Sequence, residues 1–154
     1  MADQSDRIER EVQIAAPVER VWELITRAEH LGRWFGDAGA EIDLRPGGAM
    51  SLHWHDHATV HGRVEAVAPP HRFVYRWVLT GDPEAEPTPA NSTLTEFTLA
   101  AERDGTRVTV VESGFAGLDA AAAERAALLA SHTSGWAMEL GQLADHAAGV
   151  AAGR

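Results

Sequence analysis

Apolar and polar residues alternate from position 8 to position 15, which is the pattern of a strand with one buried face. A proline at position 17 suits the first turn of a helix, because proline lacks the N–H that would stay unpaired there. The apolar residues that follow recur at helical spacing: Val18, Val21, Trp22 and Ile25. Residues 29–36, EHLGRWFG, predict a second short helix or turn that presents Leu31, Trp34 and Phe35.

After the break at Pro46-Gly47-Gly48, the apolar positions recur with a period of two, which predicts strands. The apolar faces of the first three are Met50, Leu52 and Trp54; Val60 and Val64; and Phe73, Tyr75, Trp77 and Leu79. Residues 94–101 and 107–113 predict two more, joined by a hairpin turn at Asp104-Gly105. Residues 81–92 carry three prolines and no periodicity, which predicts an acidic, mobile loop.

From near position 118 to about position 148 the pattern changes to that of a long, alanine-rich helix. A helix of about 30 residues is on the order of 45 Å long, enough to span a domain. Its apolar stripe is Leu129, Trp136, Leu140, Leu143 and Ala147. Gly135 and Gly141 interrupt it, each at a cost of about 1 kcal/mol relative to alanine. We expect that they allow a close approach to the sheet.

This order of elements predicts an α+β fold. About six antiparallel strands would form one curved sheet, and the long C-terminal helix would cover its apolar face and leave a cavity beneath. A chain of 154 residues is expected to form a single domain, residues 1–154, with a core from about 8 to 148.

Composition narrows the chemistry and the partners. The net charge of −10 disfavours nucleic acid and anionic membranes, and the apolar runs are too short for membrane insertion. The chain has no cysteine, and all 13 basic residues are arginines, which excludes thiolate and lysine Schiff-base chemistry. The polar, acidic start MADQSDRIEREV differs from a signal peptide and favours a cytoplasmic protein. We expect a monomer or homodimer without a cofactor.

Several motifs resemble those of a known family: AAPVERVWELIT (15–26), RPGGAMSLHW (45–54), GRVEAVAPPHRFVYRW (62–77), GTRVTVVESGF (105–115) and HTSGWAMELGQL (132–143). Together they resemble the activator-of-Hsp90-ATPase branch of the START/Bet v 1-like superfamily, over about residues 8–147. The resemblance implies the helix-grip fold, a sheet wrapped around the C-terminal helix. It does not imply one activity, because the superfamily includes lipid and sterol carriers, hormone binders, polyketide cyclases and self-resistance proteins.

Four of the eight histidines fall between positions 51 and 62: His53, His55, His57 and His61. Pairing apolar positions across the predicted hairpin puts Leu52 opposite Gly62 and His53 opposite His61, on the outer face of the sheet. Zinc requires three or four ligands and an ordered surrounding shell, which this pattern does not supply. We therefore predict a solvent-facing histidine pair and no native metal site.

Two ionisable residues fall on apolar faces and are the candidate acid–base pair. The turn at Asp104-Gly105 would place Phe97 opposite Glu112, so Glu112 would face the cavity. A buried carboxyl has a raised pKa unless its burial is compensated. His132 lies on the apolar stripe of the long helix and could meet Glu112 there. Either residue could equally be structural: Glu112 at a wet rim, and His132 a hydrogen-bonded core residue.

The sequence leaves three functions open. The first is a non-catalytic protein that binds a hydrophobic, aromatic or polycyclic small molecule, in a pocket lined by Trp54, Tyr75, Trp77, Phe97, Glu112, His132 and Trp136. The second is an enzyme on the same cavity, in which Glu112 and His132 catalyse a cyclisation, dehydration or hydrolysis. The third, an Hsp90-type co-chaperone, depends on the family resemblance alone. Residues 81–92 and 31–36 are the expected entrance to the cavity.

Overall fold

The structure is a computed structural model and describes residues 6–56 and 58–151. The strands are β1 (Arg7–Ile14), β2 (Ala40–Ile42), β3 (Ala49–His53), β4 (Thr59–Ala68), β5 (Arg72–Val78), β6 (Ser92–Glu102) and β7 (Gly105–Ser113). The helices are α1 (Val18–Thr26), α2 (Ala28–Trp34) and α3 (Ala122–Ala151), with a 3-10 turn at Phe115–Gly117 before α3.

All the strands belong to one antiparallel sheet in the order β1-β7-β6-β5-β4-β3-β2. The prediction of an α+β helix-grip fold, with two short helices after the first strand, is confirmed. The sheet has seven strands where about six were expected. The extra strand is β2, which spans three residues and is too short for an alternating pattern to reveal it.

The long helix α3 lies against the inner face of the sheet. Four of the five residues predicted for its apolar stripe are buried: Trp136, Leu140, Leu143 and Ala147. The fifth, Leu129, is partly buried and packs against the core. Across the ranges that the structure describes, none of the helices has the length and apolar character needed to cross a membrane.

Two predicted strand registers are wrong by two residues, although both place every side chain on the correct face. Leu52 lies opposite Val60, and Met50 opposite Gly62. A side chain at Gly62 would meet the carbonyl oxygen of Arg76 and Cγ of Met50, so only glycine fits there. In the second hairpin, Glu102 pairs with Gly105, so the turn residues are Arg103 and Asp104 rather than Asp104 and Gly105.

Candidate functional site

Glu112 of β7 is fully buried beneath α3, with 0% of its surface exposed. The register of β6 and β7 places it opposite Thr95, and the register of β5 and β6 places Tyr75 beside Thr95. The predicted inward orientation of Glu112 is therefore confirmed, although its neighbour across the hairpin is Thr95 and not Phe97. A carboxylate at this depth requires hydrogen-bond donors.

Four side chains supply those donors. The indole N–H groups of Trp136 and Trp77 donate to Oε1 at 2.7 Å and to Oε2 at 3.0 Å respectively. The hydroxyl of Thr93 donates to Oε2 at 2.5 Å. Nδ1 of His132 lies 2.9 Å from both oxygens of Glu112. Burial by itself would raise the pKa of Glu112, but the hydrogen bond and charge of His132, with the Thr93 and Trp136 bonds, outweigh it and lower that pKa.

His132 therefore meets Glu112 in the interior, as the sequence suggested. The side chain of His132 is 18% exposed, whereas that of Glu112 is fully covered. Nδ1 is engaged by the carboxylate, and Nε2 has no hydrogen-bond partner within the described ranges. Because the ring also lines the pocket described next, Nε2 is available to a molecule bound there.

An open pocket of about 220 Å³ lies between α3 and the end of the sheet. Its lining residues are Phe35, Trp54, Trp77, Ser131, His132, Gly135, Trp136, Met138 and Glu139. Drug-sized ligands typically occupy roughly 300 to 1,000 Å³, so this volume suits a smaller molecule of one or two rings. The sequence analysis left open a polycyclic ligand, and a large one would extend beyond this pocket.

The pocket is shallower than the sequence suggested, because the interior beneath it is packed with aromatic rings. Three residues predicted to line it do not reach it: Tyr75 and Phe97, each 1% exposed, and Glu112, which is fully buried. The ring centroids of Tyr75 and Phe97 lie 6.3 Å apart, and Phe97 also contacts Trp136. Burial raises the pKa of Tyr75 well above its ordinary value, and the nearby carboxylate of Glu112 adds to this effect.

Five pocket residues were absent from the predicted lining: Phe35 and Glu139, which bear on the chemistry of the pocket, and Ser131, Gly135 and Met138. Phe35 follows α2 and contacts Trp54, Trp77 and Trp136. The sequence had indicated that residues 31–36 lie at the entrance, and this is correct for Phe35. Loop 81–92, the other predicted part of the entrance, does not line the pocket; its Glu86 lies 3.5 Å from Arg63 on β4 instead.

Glu139, the second missed residue, is 8% exposed. It follows Trp136 by three positions and precedes Leu143 by four, so its place on the apolar stripe could have been recognised from the spacing. Burial and the negative charge of Asp37 raise its pKa to about 8. With its amide nitrogen turned inward, Gln142 donates to Oε1 of Glu139 at 2.9 Å.

Gly135 lies on the pocket wall, and apart from the adjacent residues and backbone of α3 itself, no atom comes within 4 Å of the place where its side chain would begin. The same space is open beside Gly141. The expectation that these glycines allow α3 to approach the sheet closely is therefore wrong. At Gly135, the missing side chain leaves room in the pocket.

Of the histidines in residues 51–62, His53, His55 and His61 do not line this pocket. His53 does face outward, but it pairs with Thr59 and bonds Glu41 at 2.7 Å, so the predicted His53–His61 pair is wrong. The short connection between β3 and β4 is the reason, because Trp54 already bonds Ala58 across it. His57 lies outside the described residues. No group of three or more metal-ligating side chains occurs within residues 6–56 and 58–151.

A curved antiparallel sheet, a long C-terminal helix and a pocket between them define a helix-grip protein of the START/Bet v 1-like class. Residues 15–148 match the family described as Activator of Hsp90 ATPase homolog 1-like protein, and the chain belongs to this family. No match is found among curated protein sequences.

Solved structures of several other proteins are similar. MLL2253 from Mesorhizobium loti has a TM-score of 0.75 at 18% identity, over 91% of this chain and 95% of that protein. CalU16 from Micromonospora echinospora has a TM-score of 0.69 at 26% identity, over 92% of this chain and 75% of CalU16. DynU16, a protein in the dynemicin biosynthetic locus, has a TM-score of 0.72 at 25% identity, over 92% of this chain and 46% of DynU16.

Proposed function

We propose that this protein binds a hydrophobic small molecule with one or two aromatic rings in the pocket beside α3. The observation that carries this proposal is the open space at Gly135, in a wall that includes Phe35 and three tryptophans. A glycine inside a helix is unfavourable by about 1 kcal/mol relative to alanine, and here no packing contact requires it. DynU16 comes from a biosynthetic locus, which favours a small-molecule ligand for this chain as well.

The expected affinity is modest. Burying about 300 Å² of apolar ligand surface contributes roughly 7 kcal/mol at 25 cal/mol per Å². The loss of translational and rotational freedom opposes binding, so dissociation constants in the micromolar range or weaker are expected. His132, which lines the pocket and is held in place by Glu112, would orient the ligand rather than provide most of the binding energy.

Tryptophan fluorescence quenching tests this proposal with a panel of one- and two-ring aromatics, flavonoids, aromatic polyketides and fatty acids. Gly135→Leu fills the pocket and should weaken binding at least tenfold. Gly141→Leu is the matched control, because Gly141 lies on the same helix with equal open space but away from the pocket. Equal binding by both variants, or no binding by the unmodified protein, would contradict the proposal.

An enzyme acting on the same pocket is the second candidate. It is favoured by the contact between His132 and Glu112, since a carboxylate that holds Nδ1 leaves Nε2 free to accept a proton from a bound molecule. Mass spectrometry of each ligand after prolonged incubation separates the two candidates. A change in the ligand that disappears in His132→Gln would favour catalysis, and an unchanged ligand would favour binding alone.

A role with an Hsp90-type ATPase is the activity that the family description names. In the part of the chain that the structure describes, the large exposed apolar residues are Leu44 and Met138, so α3 presents no apolar stripe to a partner protein. A pull-down with the Hsp90 homologue of the host tests this alternative separately from ligand binding.

A further inference from the structure

Glu139 is a buried carboxyl group on the pocket wall without a positive partner. Only 8% of the residue is exposed, and no arginine or histidine within the described ranges forms an ion pair with it. The charge that acts on it most clearly is that of Asp37, which is also negative. A buried carboxyl group normally ionises only when a positive group pairs with it, so the site has a place for one positive charge that the described residues do not supply.

The same pocket is lined by aromatic rings, which also attract cations. The Phe35 ring centroid lies 5.3 Å from those of Trp77 and Trp136 and 6.0 Å from that of Trp54. The faces of aromatic rings carry partial negative charge and stabilise a cation within about 6 Å of the ring centre. An ammonium group carried by an aromatic ligand would therefore find both a carboxyl group and several rings in this pocket.

The ionisable groups around the pocket are mainly acidic. Asp37, from the loop after α2, accepts a hydrogen bond from the backbone N–H of His55 at 2.5 Å and lies 3.3 Å from its ring. From the sheet, Glu112 bonds His132, and Tyr75 lies in the packed layer beneath. On α2, Nδ1 of His30 lies 2.9 Å from Nε2 of His146, and Arg33 also faces His146, which is two turns beyond Glu139 along α3.

We propose that the pocket binds an aromatic molecule that carries a protonated aliphatic amine, whose ring system lies among Phe35, Trp77 and Trp136 and whose ammonium group pairs with Glu139. This inference rests on the proposed ligand-binding function and deepens it by naming the class of ligand. The net charge of −10 acts in the same direction, because it attracts cations and repels ligands that carry a carboxylate.

Binding of a cation has a proton signature. The pKa of Glu139 is raised to about 8, so this carboxyl is mostly protonated near neutral pH in the free protein. An ammonium group favours the carboxylate, so close to one proton should leave as each ligand binds at about pH 7. A ligand without a charge would leave the proton in place.

Three probes of nearly equal size separate the possible ligand chemistries: 2-aminotetralin, 2-tetralone and tetralin. The first is an amine that stays protonated at neutral pH, as the amine of lysine does, the second carries a carbonyl oxygen, and the third is a hydrocarbon. Titration followed by the ¹H–¹⁵N signals of the indole N–H groups gives each dissociation constant. Calorimetry in buffers of different ionisation enthalpy counts the protons released.

We expect 2-aminotetralin to bind at least tenfold more tightly than tetralin, since a hydrogen bond between charged groups is stronger than one between neutral groups and tetralin forms none. Its binding should release about one proton near pH 7. In Glu139→Gln, both the preference and the proton release should disappear while tetralin binds as before. Glu124→Gln, an exposed change on the same helix, should leave both unchanged.

Three other outcomes of the probe titrations would each contradict a specific part of the proposal. Tighter binding of 2-tetralone than of the amine would overturn the inference and make Glu139 a neutral hydrogen-bond donor. Equal binding of all three probes would also overturn it but leave the proposed ligand-binding function intact. If none of the probes binds, and the wider panel also fails, the proposed function itself is wrong.

Discussion

Nδ1 of His132 lies 2.9 Å from each carboxylate oxygen of Glu112, although the two residues belong to different layers of the fold. The contact joins α3 to β7 beneath the pocket. It gives the buried carboxylate a donor and fixes the orientation of the imidazole ring. Because Nδ1 faces the carboxylate, the proton of a neutral ring is expected on Nδ1, with Nε2 bare.

That tautomer is the first prediction. Long-range ¹H–¹⁵N correlation spectra of the neutral imidazole should show His132 protonated at Nδ1, since only this form donates to Glu112. In Glu112→Gln the ring loses its charged acceptor, and the Nδ1–H preference should weaken. An Nε2–H tautomer in the unmodified protein would contradict the contact.

Glu112→Gln should lower the free energy of unfolding by about 3 kcal/mol at pH 7, because an amide nitrogen would replace an acceptor among the donors of Trp77, Trp136 and His132. The lowered pKa of Glu112 stabilises the fold above the unfolded value near 4.5, and this contribution disappears as pH falls through the folded value. The deficit of the variant should therefore shrink in acid. Urea unfolding at several pH values measures the difference in free energy of unfolding between the variant and the parent protein. A difference that does not change with pH would count against a charged Glu112.

Glu139→Gln should have the opposite effect. The pKa of Glu139 is raised from 4.5 to about 8, so the unfolded chain ionises first and stability falls as pH rises between these values. The variant lacks this loss and should be more stable at pH 7, by on the order of 3 kcal/mol, and equal to the parent protein near pH 4. Thermal unfolding of the variant and the parent protein across this pH range tests this, with Glu124→Gln as the exposed control. If Glu139 had an ordinary pKa, the difference in stability between the two proteins would not change with pH.

Gly135→Ala and Gly141→Ala should each raise the free energy of unfolding by about 1 kcal/mol, because both sites have open space and alanine favours helices. Gly32→Ala in α2 is the contrasting control. A side chain there would lie 2.6 Å from Cα of Gly39, so this change should destabilise the protein. Destabilisation by Gly135→Ala would restore the idea of a close helix–sheet approach.

The absence of a native metal also remains a prediction. His53 is held by Glu41 and Thr59 through its two ring nitrogens, so neither is free for an ion without losing a hydrogen bond. Metal analysis of protein prepared without a histidine tag and dialysed extensively should find less than stoichiometric zinc, copper or nickel. Stoichiometric retention of one of these metals would refute it.

The sequence by itself determined the elements of this protein apart from the short strand β2, and the face of the sheet or helix on which the predicted core residues lie. Alternation with a period of two placed Glu112 on the inner face, and the apolar stripe of α3 placed His132 towards the sheet. Those faces were sufficient to bring the pair together. The spacing also carried the signal for Glu139, three positions after Trp136.

Only the tertiary structure decided the strand registers and the depth of the pocket. A register shift of two residues keeps every side chain on its face, so alternation cannot distinguish Thr95 from Phe97 as the neighbour of Glu112. Similarly, the burial of Phe97 depends on the rings of Trp34 and Trp136, which pack against it from segments far apart in the chain. Close packing of side chains from separate elements is a property of their relative positions, which no local pattern encodes.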